Sequence, residues 1–325
     1  MSAMLVWVVG GGGLLGSHLR RALRRHVPNA RVWESTPPHL SWTDAIKLTI
    51  ELDGAVAAFA DAVRRGADTW SVLWCAGRGV MSSTPEALEP EWSAWKQLLE
   101  LLGYHLAGSK EEVYGSIFLA SSAGGVYGSN VGQNLTEHTP TRPASHYGAH
   151  KIRMEEALRN WSDAFPRHSC LIGRISSLYG PGQDLSKAQG IISHLSRCLI
   201  YHQSVSIYVP LDTRRDYLFA DDCAHQVAAG LRRLLVQRPR ILIKIFSSEE
   251  LTSLSRIVGI FFRLAKNRPL VVLRQPREPQ PISLTFRSAN WGDLKSVQKT
   301  DLAAGIHAVH EYQLAAFRRG QLPPP

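Results

Sequence analysis

A glycine-rich segment near the start of the chain limits the folds that this sequence can adopt more than any other feature. Glycines recur at three-residue intervals, at Gly10, Gly13 and Gly16, between an apolar run (residues 5–9) and an amphipathic run (residues 14–25). The first glycine would permit a tight strand-to-helix turn, the second would let the backbone approach a pyrophosphate, and the third would let the helix pack on the sheet. The segment therefore predicts a dinucleotide site, and a glycine turn without a ligand is the alternative. The predicted contacts are Gly10, Gly13, Leu14, Leu15 and Gly16.

Short apolar runs alternate with longer runs of helical periodicity through the first half of the chain. The pairs are residues 5–9 and 14–25, 71–75 and 92–102, and 117–121 and 147–161, with a further strand at 170–176. This alternation predicts an α/β fold, a Rossmann-type doubly wound parallel sheet with helices on both faces. The pattern becomes irregular after the Gly-Pro-Gly at 180–182. We therefore expect an NAD-binding Rossmann domain at 1–177 and a smaller C-terminal substrate-binding lobe at 178–325.

The second predicted strand, residues 30–33, ends next to an acidic side chain. Glu34 follows this strand, 18 residues after Gly16. A carboxylate at this point can accept hydrogen bonds from the adenosine ribose hydroxyls and would repel a 2′-phosphate, so the sequence predicts NAD in preference to NADP. Ser35, Thr36 and His39 could bind that phosphate if Glu34 points away, and this alternative stays open.

The charge and cysteine content of the chain narrow its environment without identifying a ligand. A formal net charge of +10 over 325 residues suits an anionic partner, whether nucleic acid, a membrane surface or a phosphorylated substrate. The densest basic cluster, Arg20, Arg21, Arg24 and Arg25, has the spacing of a solvated helix face, so we expect no nucleic-acid binding. Four scattered cysteines without a C-x-x-C pair predict no metal site and no disulfides. Without a bilayer-length apolar stretch or a signal-peptide pattern, we expect a cytoplasmic protein with no membrane contact.

A tyrosine and a lysine near the middle of the chain form the predicted catalytic pair. They follow a predicted strand that opens at Ser121 into a small-residue loop, at an edge where open α/β sheets bind ligands. Tyr147 and Lys151 share one face at the start of a helix. A free tyrosine hydroxyl has a pKa of about 10 and must become more acidic by about 4 kcal/mol to act as a base near neutrality. One ammonium held ~4 Å away, at an effective dielectric of ~20, supplies about that much. A solvated pair without function is the alternative.

Five motifs occur in the order and spacing of one known family. They are the glycine loop at 10–16, S-S-A-G-G-V-Y-G at 121–128, Y-G-A-H-K at 147–151, R-I-S-S-L-Y-G-P-G at 174–182 and R-R-D-Y-L-F-A-D-D-C-A at 214–224. Through these motifs the chain resembles, over nearly its whole length, the NAD-dependent epimerase/dehydratase family of extended short-chain dehydrogenases, which act mainly on nucleotide sugars. The resemblance implies a nucleotide-sugar epimerase or dehydratase that uses NAD.

The resemblance also implies roles for individual residues. Tyr147 would be the general acid/base, and Lys151 would hold the nicotinamide ribose and tune Tyr147. Ser122 would hydrogen-bond the substrate oxygen, with Ser121 as the fallback. The residues that would lie along the cofactor are Cys75, Ala76 and Gly77. The residues that would contact substrate, the two arginines through its diphosphate, are Ser177, Arg215 and Arg287.

Departures from the family pattern leave the reaction and the assembly open. Residues 91–102 lack the asparagine that many members carry early in this helix and contain Trp92 and Trp95 instead, while His150 replaces a common serine. A reductase or dehydrogenase of the same superfamily is one alternative, and a non-catalytic dinucleotide-binding regulatory protein is another. The apolar positions of helices 92–102 and 147–161 resemble a two-fold helical interface and predict a homodimer, with ordinary core packing as the alternative.

Overall fold

The computed structural model describes residues 3–37, 40–107, 113–130, 134–187, 189–264, 271–274 and 283–325. The strands in these ranges are β1 (Met4–Val9), β2 (Ala30–Trp33), β3 (Thr69–Trp74), β4 (Gly115–Ser122), β5 (Asn134–Leu135), β6 (Ser169–Ile175), β7 (Ser177–Tyr179), β8 (Val205–Ile207), β9 (Arg214–Phe219), β10 (Ile241–Phe246), β11 (Leu251–Ser253), β12 (Val271–Leu273) and β13 (Thr285–Phe286). The helices are α1 (Leu14–His26), α2 (Ala45–Arg64), α3 (Pro85–Leu102), α4 (Ala123–Val126), α5 (His146–Ala164), α6 (Ile191–Ile200), α7 (Ala220–Gln237), α8 (Leu254–Leu264) and α9 (Leu302–Arg318).

Six strands form one parallel sheet in the order β10-β6-β4-β3-β1-β2. Every residue of β1 is buried, and successive side chains enter opposite cores. Leu5 and Trp7 pack with residues of α2, α3 and α5, whereas Val6 and Val8 pack with residues of α1 and α7. Strands covered on both faces are continuous apolar runs, which is why the sequence reveals them. The predicted Rossmann-type doubly wound sheet is confirmed.

Helices α3 and α5 pack against each other through tryptophans. Trp95 Nε1 donates to the carbonyl oxygen of Met154 (3.1 Å), and Trp161 Nε1 donates to that of Leu99 (3.0 Å). Both rings are buried, so the apolar positions of the two helices are used within the chain. Their exposed surface carries charged side chains, including an ion pair between Glu89 on α3 and Arg153 on α5. Core packing therefore accounts for the apolar pattern from which we predicted a homodimer.

The chain crosses between the sheet and the smaller lobe more than once. After β6 it enters the lobe, whose core is formed by residues of β7, β8, β9, α6, α8 and α9. The segment 220–246 then returns to the sheet: α7 packs against α1, and β10 pairs with β6 from Ile241 opposite Cys170 to Phe246 opposite Ile175. This differs from the single predicted boundary after residue 177. The reason is that β6 receives its parallel neighbour through a crossover from later in the chain.

Candidate active site

The glycine loop closes so tightly that side chains are excluded at two positions. Gly10 has a φ of +82°, and a Cβ there would lie 2.5 Å from the amide nitrogen of Ala76. A Cβ on Gly16 would lie 2.3 Å from the carbonyl oxygen of Gly10. Gly13 is the N-cap of α1, and no cap side chain bonds the amides of the first turn, which begins at Leu14. Free helix N-terminal amides behind a glycine cradle fit the pyrophosphate of a dinucleotide.

The loop after β3 connects the glycine loop to the rest of the site. The amide of Cys75 donates to the carbonyl oxygen of Val9 (2.9 Å), which holds this loop beside the end of β1. Burial raises the pKa of the Cys75 thiol to about 12, although the charge of Lys151 opposes it, so the thiol is a small apolar group rather than a nucleophile. Gly77 has a φ of +147°, and a Cβ there would lie 2.8 Å from the carboxylate oxygens of Glu91. Residues 75–77 therefore run from the glycine loop to Glu91.

Glu34 directly follows β2 and pairs with two arginines of α1. Its Oε1 accepts a hydrogen bond from Arg20 and a second, of 3.1 Å, from Arg24. Because two guanidinium groups offset the carboxylate, its repulsion of a 2′-phosphate is weaker than the sequence alone suggests. The hydroxyl of Ser35 donates to a neighbouring backbone carbonyl. His39 lies outside the described residues, so its role as an alternative phosphate ligand stays a prediction.

Tyr147 occupies a slot between two glycines at the start of α5. The hydroxyl of Ser145 caps this helix by accepting a hydrogen bond of 3.2 Å from a first-turn amide. A Cβ on Gly125 would lie 3.1 Å from Cε1 of the Tyr147 ring and 3.3 Å from the hydroxyl oxygen of Ser122. On the opposite edge of the ring, a Cβ on Gly79 would lie 3.0 Å from Cδ2. The two glycines thus set the position of the ring and place Ser122 beside it.

The two serines at the end of β4 have different surroundings. Ser121 is buried and donates to Glu155 Oε1 (2.6 Å), whose other oxygen is 2.6 Å from the guanidinium of Arg174. Ser122 is partly exposed, and its oxygen accepts a hydrogen bond of 3.1 Å from the amide of Gly125. Its hydroxyl hydrogen is still free to be donated, since that bond uses only an acceptor. Ser121 therefore belongs to a buried ion-pair network, whereas Ser122 faces the site.

Lys151 is buried one helical turn after Tyr147 and forms an ion pair across the helix interface. Its Nζ lies 5.7 Å from the centroid of the Tyr147 ring and 2.6 Å from Oε1 of Glu91 on α3. Burial disfavours the charged form of Lys151, but Glu91, with smaller contributions from Tyr147 and Glu155, outweighs it, so the pKa of Lys151 is raised. Burial likewise opposes the charge on Glu91, but Lys151 and His150 lower its pKa to about 2. Both members of the pair are charged at neutral pH.

Glu91 is the site residue that the five motifs do not reveal. It belongs to a stripe of buried side chains at helical spacing on α3, namely Leu88, Glu91, Trp95 and Leu98. An acidic residue inside an apolar stripe is a signal in itself, because a buried carboxylate is costly unless a cation or hydrogen-bond donors face it. That pattern predicts a partner for Glu91, although it does not say which.

Two of the predicted substrate residues lie on strands of the smaller lobe, and the third follows β13, which pairs with β5. Ser177 opens β7 and is exposed, and its register partner on β9 is Tyr217. Arg215 is half-buried on β9, where its guanidinium donates to the carbonyl oxygen of Arg214 (2.9 Å) and burial lowers its pKa. Arg287 is exposed just after β13, and the segment before β13 bridges β9. The structure therefore forms two groups, one around Tyr147 and the glycine loop and one on neighbouring strands of the lobe.

Asp216, next to Arg215 in the chain, ties these strands together. It is buried, and its Oδ1 accepts hydrogen bonds from the hydroxyl of Ser176 (2.7 Å) and the amide of Ser248 (2.9 Å). Burial raises the pKa of Asp216 to about 6, and these hydrogen bonds oppose it only in part. Within the R-R-D-Y motif at 214–217, Asp216 is therefore the residue that holds neighbouring segments together.

One family model matches most of this chain. The model of the NAD dependent epimerase/dehydratase family matches residues 6–241. The chain is 35% identical over 98 residues to the dTDP-L-rhamnose 4-epimerase of Burkholderia thailandensis. The aligned region covers 30% of this chain and 27% of that protein. It is 29% identical over 150 residues to the dTDP-4-dehydro-6-deoxyglucose reductase of Escherichia coli, and the aligned region covers 46% of each chain. The matched part therefore spans less than half the length of either relative.

Solved structures share the fold over nearly the whole chain. The structure of the UDP-glucose 4-epimerase of Thermus thermophilus in complex with NAD superimposes with a TM-score of 0.72 and 20% identity. The match covers 95% of this chain and 98% of that one. At this identity the likeness shows the fold alone.

Proposed function

This chain belongs to the NAD dependent epimerase/dehydratase family, and on that premise we propose that it epimerises or dehydrates a nucleotide-linked sugar with NAD as its cofactor. The observation that carries the proposal is the arrangement around Tyr147. Its ring is held between Gly79 and Gly125 beside the hydroxyl of Ser122, and the ammonium of Lys151 lies 5.7 Å from its centroid. A hydroxyl, a phenol and a buried ammonium side by side suit proton transfer to and from a sugar oxygen.

Each residue of this group has a distinct task in the proposed reaction. NAD, when bound, supplies a hydride acceptor that can return the hydride to the sugar. Tyr147 takes the proton of the sugar hydroxyl and gives it back, while Ser122 donates a hydrogen bond to the same oxygen. Lys151 stabilises the tyrosinate and keeps one donor for the nicotinamide ribose, since an ammonium has three donors, of which Glu91 takes one and the sulfur of Met154 another. The cofactor itself would be held by the glycine-loop residues, Glu34 and residues 75–77.

The smaller lobe would bind the nucleotide diphosphate of the substrate. A diphosphate that enters a cleft loses hydration and needs fixed cations in return. Arg215 suits this task because a guanidinium stays charged when half-buried and can engage two phosphate oxygens at once. Arg287, on the neighbouring segment, is the second proposed diphosphate ligand. Ser177 would contact the sugar from the start of β7.

Turnover of sugar nucleotides tests the proposal directly. Purified protein with added NAD is incubated with UDP-glucose, UDP-galactose or dTDP-glucose, and the sugar products are identified by NMR. We expect a new sugar nucleotide without net formation of NADH. Tyr147→Phe should reduce the rate by about 100-fold to 10,000-fold, the usual loss for a positioned acid/base. Tyr104→Phe is the matched control, because that ring is 81% exposed. A fully active Tyr147→Phe enzyme would contradict the proposal.

A reductase is the second candidate, favoured by the similarity to the dTDP-4-dehydro-6-deoxyglucose reductase. In a reductase, Ser122, Tyr147 and Lys151 could protonate an alkoxide while the reduced cofactor transfers a hydride to the substrate and does not take it back. The two candidates differ in stoichiometry, because a reductase consumes one reduced cofactor for each product and an epimerase consumes none.

The assembly and location of the enzyme stay predictions. The homodimer stays a prediction from the sequence, because core packing already accounts for the apolar positions of α3 and α5 on which it was based. Light scattering would test it. Among helices in the described ranges, none has the length and apolar character needed to cross a bilayer. Cytoplasmic location and the lack of nucleic-acid binding rest on the sequence.

A further inference from the structure

The ion pair between Glu91 and Lys151 is almost fully withdrawn from solvent. The side chains are 8% and 6% exposed, and 2.6 Å separates Oε1 from Nζ. An ammonium buried to this degree loses most of its hydration, so its charged form needs a counter-ion within the fold. Glu91 is placed to be that counter-ion, and the backbone of Gly77 closes over its carboxylate.

Other titratable groups surround the pair, but among the described residues Glu91 is the carboxylate that lies within ion-pair distance of Lys151. His150 Nε2 lies 3.7 Å from Oε1 of Glu91. Glu155, the other nearby acid, also raises the pKa of Lys151, to a smaller extent, and its carboxylate is engaged by Ser121 and Arg174. Within the described part of the chain, the other groups that act electrostatically on the pair are Cys75, Tyr147 and Lys187, and Arg78 acts on Lys187. Lys187 donates to the carbonyl oxygen of Gly77 (2.8 Å).

We propose that Glu91 is a positioning residue: its carboxylate keeps the ammonium of Lys151 charged and fixes its place beside Tyr147. The inference rests on the proposed function, in which that ammonium assists Tyr147. An ammonium stabilises a neighbouring tyrosinate, whereas a neutral amine does not. Glu91 thus acts through Lys151 and not on the substrate.

Without the carboxylate charge of Glu91, Lys151 should lose its proton at a lower pH. Buried lysines without a counter-ion titrate up to about 3 to 5 pH units below exposed ones. We therefore expect Glu91→Gln to lower the titration midpoint of Lys151 by at least about 2 pH units. The alkaline limb of the kcat profile should move to lower pH by the same amount. Glu91→Asp, which keeps the charge on a shorter side chain, should cause a smaller change in both.

The measurement is an NMR titration of the full chain labelled with carbon-13 only at lysine. The chain has nine lysines, so the spectrum is tractable, and the Lys151 signal is the one missing in Lys151→Met. Glu89→Gln is the matched control on the same helix. Its carboxylate is 56% exposed and pairs with Arg153, so the Lys151 midpoint should not move.

The outcomes separate a positioning role from a structural one. A folded Glu91→Gln protein with an unchanged Lys151 midpoint would overturn the proposal, as would a lower melting temperature with an unchanged pH profile. If Glu91→Gln does not fold, the same measurement on Glu91→Asp decides, and an unmoved midpoint there overturns the proposal too. Failure of the proposed function looks different: the wild type would not turn over sugar nucleotides, or Tyr147→Phe would stay active, while the Lys151 midpoint would still fall in Glu91→Gln.

Discussion

Replacement of Gly125 by alanine tests whether the slot that holds Tyr147 controls the reaction. The new Cβ would lie 3.1 Å from Cε1 of Tyr147 and 3.3 Å from the hydroxyl oxygen of Ser122. Carbon atoms prefer separations of about 3.5 Å or more, so the ring must move by roughly 0.4 Å. A misplacement of about 1 Å can cost on the order of 100-fold in rate, and we therefore expect kcat to fall about five- to tenfold.

Stability should not follow activity in this variant. Gly125 is helical, and alanine in a helix is favoured over glycine by about 0.5–1 kcal/mol, which offsets the tight contact. Gly124→Ala is the matched control in the same helix, because its Cβ would meet nothing within 4 Å. It should gain stability in urea unfolding and keep its kcat. Equal kcat values for the two variants would refute the reasoning, and a higher KM for Gly124→Ala alone would reveal a substrate contact there.

Four further predictions concern Ser121 and Ser122 beside this slot, and Arg215 and Asp216 on β9. Ser121→Ala should cost about 1–3 kcal/mol of stability, because Glu155 loses a buried hydrogen bond, with little change in kcat. Ser122→Ala should lower kcat on the order of 100-fold and cost only about 1 kcal/mol of stability through the lost helix cap. Kinetics and urea unfolding check both serine variants. A large loss of kcat in Ser121→Ala with little change in Ser122→Ala would mean that Ser121, and not Ser122, contacts the substrate. Arg215→Ala should weaken UDP binding by about 1.5–3 kcal/mol in calorimetry while NAD binding is unchanged, and unaltered UDP affinity would argue against the diphosphate role. The pKa of Asp216 in the folded chain, about 6, lies above that of the unfolded chain, so its contribution to stability is present below about pH 4 and is lost as the pH rises through about 6. Unfolding of wild type and Asp216→Asn between these pH values should differ by on the order of 2–3 kcal/mol, and parallel curves would contradict the assignment.

The sheet could be predicted only where its pattern is simple. The strands from β1 to β6 in the sheet are apolar runs in alternation with helices, but α2 escapes this pattern. Ile46 and Ile50 on that helix are 78% and 68% exposed, and Gly54 lies in its interior, so the helix lacks a clear polar face. The pattern does not reveal β10 either, because Lys244 interrupts the apolar run and donates a partly buried hydrogen bond to Ser288.

The site could be predicted where its residues share a motif, and not where packing brings them together. The glycine loop, Ser122, Tyr147 and Lys151 are each recognisable from their neighbours in the chain. Glu91 lies 60 positions before Lys151, and only the packing of α3 on α5 shows that the two side chains meet. For the same reason the charge of Glu34 could be predicted but not its pairing with arginines of α1.

The return of the segment 220–246 to the sheet has a consequence for how this chain can be divided. A fragment that ends at residue 177 would leave β6 as an exposed edge strand with unpaired backbone groups, which favours aggregation. It would also uncover Leu19 and Leu23 on α1, which pack with Val227 and Leu231 of α7. The two lobes should consequently melt in a single transition. A chimera that exchanges the smaller lobe with that of a relative would have to keep 220–246 alongside the N-terminal part, together with β13, which pairs with β5.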